Sequence, residues 1–159
     1  MKIKDLTTKD PIFSHHNEET GVWTHIAAAR LATALDGKKE FIRPVTIDEK
    51  TYQLILTCNG VEQPCVERWK VRYLLNASDP FSLPLPIFIE WEDKHHTLAD
   101  GNHRLCALYQ LGVPRILVYL APPDLWRQFE VELSPMAQAI VNMPGYMSGS
   151  YSHLRKKDD

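Results

Sequence analysis

The chain of 159 residues predicts a mixed α+β fold, a small mixed sheet with flanking helices. Three stretches carry that reading. Arg115-Ile116-Leu117-Val118-Tyr119-Leu120 is a continuous β-prone run. Pro84-Leu85-Pro86-Ile87-Phe88-Ile89-Glu90-Trp91 reads as a second strand, and Asp93-Lys94 makes a turn toward a third strand that enters through His96 and Thr97. Leu98-Ala99-Asp100-Gly101-Asn102-His103-Arg104 then runs without a break into a helix, where Leu105, Leu108 and Leu111 recur at helical spacing and Gly112 offers a left-handed stop.

The other elements follow in chain order. Met1 to Thr20 reads as a polar leading arm without periodic pattern, with His15-His16 solvated and Asn17-Glu18-Glu19-Thr20-Gly21 a loop. Val22 to Leu35 reads as an amphipathic helix: Val22, Ile26 and Ala29 share a face, Trp23, Ala27, Leu31 and Leu35 lie beside it, and Asp36-Gly37 ends it. Phe41 to Ile47 enters a strand interrupted by Pro44. Asp48 to Thr57 fits a helix through Tyr52, Leu54 and Leu56. Its second part, Thr51 to Thr57, also alternates like a strand, and Asn59-Gly60 follows as a hairpin turn, so the strand is preferred. Val66 to Leu75 reads as a helix and Asn76 to Pro86 as a loop. Pro122-Pro123 closes the core unit. Asp124 to Val131 makes a short helix with Trp126 and Phe129, and Ser134-Pro135 opens another as N-cap and first helical residue, with Met136, Ile140 and Val141 on its apolar side. Three segments result: 1–40, an arm and amphipathic helix; 41–122, a core; 123–159, a helical extension and a mobile tail.

Composition excludes several classes. A hydrophobic fraction of 44% suits a globular domain, and no apolar run approaches a membrane span. The first residues, Met1-Lys2-Ile3-Lys4-Asp5-Leu6, lack an apolar export core, so a cytoplasmic protein is expected. Eighteen basic against 20 acidic residues give a net charge of −2, which provides no bulk attraction to nucleic acid. Cys58, Cys65 and Cys106 are odd in number and widely spread, against a disulfide framework and a zinc ribbon.

The chemistry concentrates at the turn from Asp100 to Arg104. A helix N-terminus presents unpaired N–H groups and partial positive charge, a natural seat for phosphate. Gly101 permits a sharp turn and close approach, Arg104 can grip phosphate with two parallel hydrogen bonds, and His103 can donate, accept or carry charge near neutral pH. The same residues also fit a plain strand-to-helix turn with Asp100 as N-cap. Cys106, one turn into the helix beside Leu105 and Ala107, reads as a buried, inert thiol.

Asp100-Gly101-Asn102-His103-Arg104 resembles the Gly-x-x-Arg turn of the ParB/sulfiredoxin-like superfamily. It is nearest to the Asp-Gly-His-His-Arg form of the free-serine kinase branch and similar to the Gly-Glu-Arg-Arg box of ParB nucleotide-binding domains. The resemblance covers about 41–122, with the order helix, strand, hairpin, strand, Gly-x-x-Arg helix, strand. It implies the ParB/sulfiredoxin-like fold. Departures narrow what it implies about activity. Asn102 stands where sulfiredoxins carry their catalytic cysteine, against sulfinic-acid reduction. His103 and Cys106 stand where ParB proteins carry arginines, which weakens a triphosphate grip, and too little chain follows for a helix-turn-helix domain. In the serine kinase branch an acidic residue ahead of the first core helix acts as base. Glu62 and Glu67 are nearest here, and Glu67 is better explained by its place at the opening of the 66–75 helix, where a carboxylate favours the N-terminal dipole.

These readings lead to an expected nucleotide-phosphate-binding protein, a nucleotide hydrolase or phosphotransferase working on ATP or another nucleotide. Gly101, Asn102, His103 and Arg104 would hold phosphate, Asp100 would hold Mg2+ or orient a hydroxyl, and His103 and Glu67 would complete the catalytic set. A metal-dependent nuclease built on Asp100, His103 and Glu67 and acting on DNA is the first alternative. A binding or inhibitor protein without turnover, of the kind the resemblance associates with mobile elements, is the second. Trp23, Trp91 and Trp126 would then be anchors for a protein partner.

Overall fold

The computed structural model describes residues 2–4, 11–50, 52, 74, 85–113, 115–144 and 149–151. Strands and helices are both present, so the mixed α+β class holds. Among the described residues the order is β1 (Ile12–His16), β2 (Trp23–Ala27), α1 (Ala28–Leu35), a 3-10 turn (Lys39–Phe41) and β3 (Ile42–Val45). Then come β4 (Ile87–Glu90), β5 (His96–Asp100), α2 (Asn102–Gln110), β6 (Ile116–Ala121), α3 (Pro123–Trp126), a 3-10 turn (Arg127–Phe129), α4 (Pro135–Val141) and β7 (Gly149–Tyr151). One sheet has the order β2-β1-β7 and the other β3-β6-β4-β5. Two compact units result: 1–37 with 89–99 and 121–159, and 38–88 with 100–120. No helix among the described residues is long and apolar enough to cross a membrane.

In the first unit, Ile12 to His16, expected within a polar arm, form a strand. Ile12 to His16 pair antiparallel with Trp23 to Ala27, Ile12 opposite Ala27 and His16 opposite Trp23. The connection is built by Asn17, whose side-chain oxygen accepts from the amides of Glu19 (2.9 Å) and Thr20 (3.2 Å), while Gly21 takes φ +73°. The helix expected from Val22 therefore starts six residues late, at Ala28. Val22 to Ala27 has helical apolar spacing, but Trp23, Thr24 and Ile26 are β-prone, and pairing with β1 decides the outcome. Val22, placed on the apolar face by that spacing, is 58% exposed. Ile12, Ala27, Val131, Ala137 and Val141 form one buried cluster of this unit, with Ile3, Trp23, Leu133 and Ile140 packed against it. α4 begins as expected: Ser134 Oγ accepts from the Ala137 amide at 3.2 Å and Pro135 is the first helical residue. Its buried side is Ala137 and Val141, and Met136 is exposed.

In the second unit, β3 pairs antiparallel with β6 from Ile42 opposite Tyr119 to Val45 opposite Ile116. Pro44, which has no N–H to give a ladder, is tolerated because β3 is an edge strand among the described residues. Ile87, Leu105, Cys106, Ala107, Ile116 and Val118 are buried. Glu49, Lys50 and Tyr52 are helical, and the Tyr52 amide donates to the Asp48 carbonyl at 2.9 Å, so Tyr52 is in a helical turn and not in the strand expected of it. Tyr109 of α2 stacks on Tyr52 at 4.1 Å and donates to Glu49 at 2.6 Å, which fixes this helical turn against α2. The remainder of 51–57, the Asn59-Gly60 turn, Cys58, Cys65 and nearly all of the 66–75 helix lie outside the described residues.

Candidate functional site

The turn from β5 into α2 is built around Gly101. This residue is the N-cap of α2, with φ +101° and ψ +22°, a left-handed conformation that side chains oppose. It is also jammed against Pro86, the residue that precedes β4. A Cβ at position 101 would lie 2.8 Å from Pro86 Cα and 2.9 Å from Pro86 Cβ. Pro86 is fully buried, and its carbonyl accepts the Tyr119 amide at 2.9 Å. The floor of the turn is thereby tied to β6, and glycine is required by both conformation and space.

Asp100 is not the N-cap. The cap residue carries no side chain, and α2 begins without a side-chain cap hydrogen bond. The Gly101 carbonyl accepts the first intrahelical bond, from Leu105 at 2.8 Å. Asp100, 52% exposed, instead accepts from Arg104 Nη2 at 3.2 Å, one helical turn on. The Arg104 side chain is 21% exposed, and its Nε is buried without a hydrogen-bond partner among the described residues. The guanidinium is therefore held over the helix N-terminus with hydrogen-bonding capacity unused. Its Nη2 lies 3.0 Å from the point where a Gly101 Cβ would sit. Asn102 is the first residue of α2, and His103 is half-buried in its first turn. Asp100, Gly101, Asn102, His103 and Arg104 are thus consecutive around one turn. Glu67 lies outside the described residues.

Cys106 is fully buried, and burial pushes its thiol up to about 11, so it is an inert core residue as the sequence indicates. Gly112, at φ +77°, closes the C-terminal end of α2 with its amide on the Tyr109 carbonyl at 3.0 Å. No group of three or more His, Cys, Asp or Glu that could hold a metal ion occurs among the described residues. Of the tryptophans named as anchors, Trp126 is fully buried and donates to the Glu90 carbonyl at 2.8 Å, so it presents no surface to a partner. Trp91 is half-buried: its Nε1 donates to Thr97 at 2.7 Å and its ring lies against His15.

The sequence did not signal the polar pair inside the first unit. Ser14 Oγ lies 2.7 Å from His25 Nδ1, across the register of β1 and β2, and both residues are buried. His15, expected in solvent, stacks on Trp91 at 4.7 Å. Neither Ile12-Phe13-Ser14-His15-His16 nor Trp23-Thr24-His25-Ile26-Ala27 alternates apolar with polar residues, so only their pairing brings the two residues together. Comparison of the chain with protein-family models, with curated proteins and with solved structures finds no match.

Proposed function

We propose that the Gly101–Arg104 turn binds the phosphate of a nucleotide and that the protein hydrolyses the nucleotide or transfers its phosphoryl group. The observation supporting this reading is an α-helix of nine residues that opens at an uncapped left-handed glycine, under an arginine whose Nε has no partner among the described residues. The first amides of such a helix have no intrahelical acceptor, and a phosphate oxygen satisfies them while meeting the helix dipole. Arg104 supplies the charge-assisted bonds, and His103, in the first turn, orients or protonates the bound group. The reading also draws on the resemblance of Asp100-Gly101-Asn102-His103-Arg104 to the ParB/sulfiredoxin-like turn.

Asp100 is half-exposed and, among the described residues, is paired with Arg104, so it could take a share of Mg2+ once phosphate claims the guanidinium. One carboxylate is sufficient when phosphate oxygens and water supply the other ligands. Mg2+ would neutralise developing charge on the phosphoryl group, and the chain's own part is to hold and orient that group.

The test is a thermal-shift panel of ATP, ADP, CTP and GTP with Mg2+, on the parent protein and Arg104→Ala. A nucleotide at about one hundred times its Kd adds roughly 2.7 kcal/mol of stability. A rise in Tm with one nucleotide, absent in Arg104→Ala, is the expected result. No rise with any nucleotide would overturn the assignment, and binding without release of phosphate would favour a non-catalytic receptor. Metal-dependent DNA cleavage without nucleotide binding would favour the nuclease.

A further inference from the structure

The first unit carries a second chemically unusual feature, unrelated to phosphate. His15 Nδ1 and His25 Nε2 are both buried with no hydrogen-bond partner among the described residues. The two rings lie on opposite faces of the same ribbon, because His25 is opposite Ser14 in the register and His15 is opposite Thr24. On one face His25 bonds Ser14 through Nδ1 and stacks against Trp23 at 6.0 Å with rings 5° from parallel. On the other, His15 stacks on Trp91 at 4.7 Å. We propose that the β2-β1-β7 sheet is an acid-opening element, in which protons taken up by His15 and His25 on the two faces of its central ribbon release β1 from its neighbours.

The chemistry follows from what a second ring proton requires. A neutral imidazole has one donor and one acceptor nitrogen; an imidazolium has two donors. His25 can turn Nδ1–H toward Ser14 Oγ, but a proton on Nε2 then faces a buried site with no acceptor among the described residues. His15 meets the same obstacle at Nδ1. Burial lowers the affinity of both rings for protons, His25 to about 4 with help from Lys2, and His15 in the same direction with help from His16. Among the described residues, the carboxylates nearby already have cationic partners and are not left over as counter-ions. Glu130 is taken by Lys2 (3.9 Å) and Arg127 (3.0 Å), Glu92 by Arg127, and Glu90 by Lys94 (3.9 Å) and His96 (3.6 Å). α4 contributes no titratable side chain, and on β7 Gly149 is the residue opposite Ser14. β1 is the middle strand, so its release dismantles the whole three-stranded sheet.

Hydrogen exchange read by mass spectrometry on the intact chain, corrected for the intrinsic pH dependence of exchange, tests this between about pH 7 and about pH 4.5. The expected result is a loss of protection of about tenfold or more in peptides covering 12–16 and 23–27, with 102–110 changing far less. Trp emission should change over the same pH range, because protonation alters the rings stacked on Trp91 and Trp23. Equal loss across all peptides, or no loss in 12–16 and 23–27, would overturn the proposal, and both are read in the parent protein. The double variant His15→Gln, His25→Gln should flatten the pH response; a folded double variant that opens at the same pH as the parent also overturns it.

Discussion

Two regions of this molecule hold polar atoms that lack partners among the described residues, and they hold them in opposite ways. In the β1-β2 ribbon, Ser14 and His25 are buried, in the unit that holds the cluster of Ile12, Ala27, Val131, Ala137 and Val141. At the Gly101 turn, Asp100 is half open to solvent and Arg104 is partly so. The helix N-termini follow the same division: α4, which supplies Ala137 and Val141 to that cluster, is closed by the Ser134 hydroxyl, whereas α2 opens at a glycine with no side-chain cap. The difference teaches which groups can meet a ligand. A sealed imidazole has access only to protons that local opening admits, while an uncapped helix end beside a reachable guanidinium can exchange its ion pair for an anion.

The sealed region should show the largest effect of pH. His25 has its proton affinity lowered in the folded state, so the unfolded chain binds more protons between its ordinary 6.5 and about 4. Stability is then complete above about pH 6.5 and falls as pH drops through that window. The loss is of the order of 3 kcal/mol for this residue, with His15 acting in the same direction. Urea unfolding followed by Trp emission at several pH values measures it. A stability that rises on acidification would break the contrast.

The turn should be the more sensitive to added atoms. Gly101→Ala places a Cβ against the Pro86 backbone and forces a left-handed alanine. A cost of about 2–3 kcal/mol follows, visible as a lower Tm. Tolerance without loss would mean that the turn is softer than its packing indicates. Ser134→Ala should cost about 1 kcal/mol by leaving the Ala137 amide without its cap, and Ser134→Gly only a few tenths. Melting of the two variants side by side tests whether α4 depends on the hydroxyl.

How far each region was legible in the sequence follows from the range of its contacts. Most of the stretch from His96 to Gly112 is local: strand, glycine turn, helix and glycine stop lie close in sequence and emerge where the sequence places them, the cap residue excepted. Ser134-Pro135 is legible for the same reason. The ribbon was not. Val22 to Leu35 carries helical spacing, and only pairing with Ile12 to His16 shows that its first half is a strand. The burial of His15 and His25 follows from that pairing and from Trp91, some seventy residues further along the chain, so no local pattern marks either ring. The capping role of Asp100 was misplaced by one residue because a left-handed glycine starts the helix itself and frees the aspartate for Arg104.

The smallest effect on stability should be the most informative about function. Asp100→Asn removes a half-exposed ion pair with Arg104, and such pairs contribute under about 1 kcal/mol, so Tm should barely move. Ligand binding should move in two directions. With its carboxylate competitor gone, Arg104 should bind inorganic pyrophosphate more tightly in the absence of Mg2+, by a factor of several. With the one exposed carboxylate of the turn gone, the strengthening of nucleotide binding by Mg2+ should shrink. Titration calorimetry with and without Mg2+ separates the two. If both affinities fall together, Asp100 positions the turn and does not compete for Arg104. If neither moves while Arg104→Ala abolishes binding, the phosphate seat stands and the metal role of Asp100 is removed.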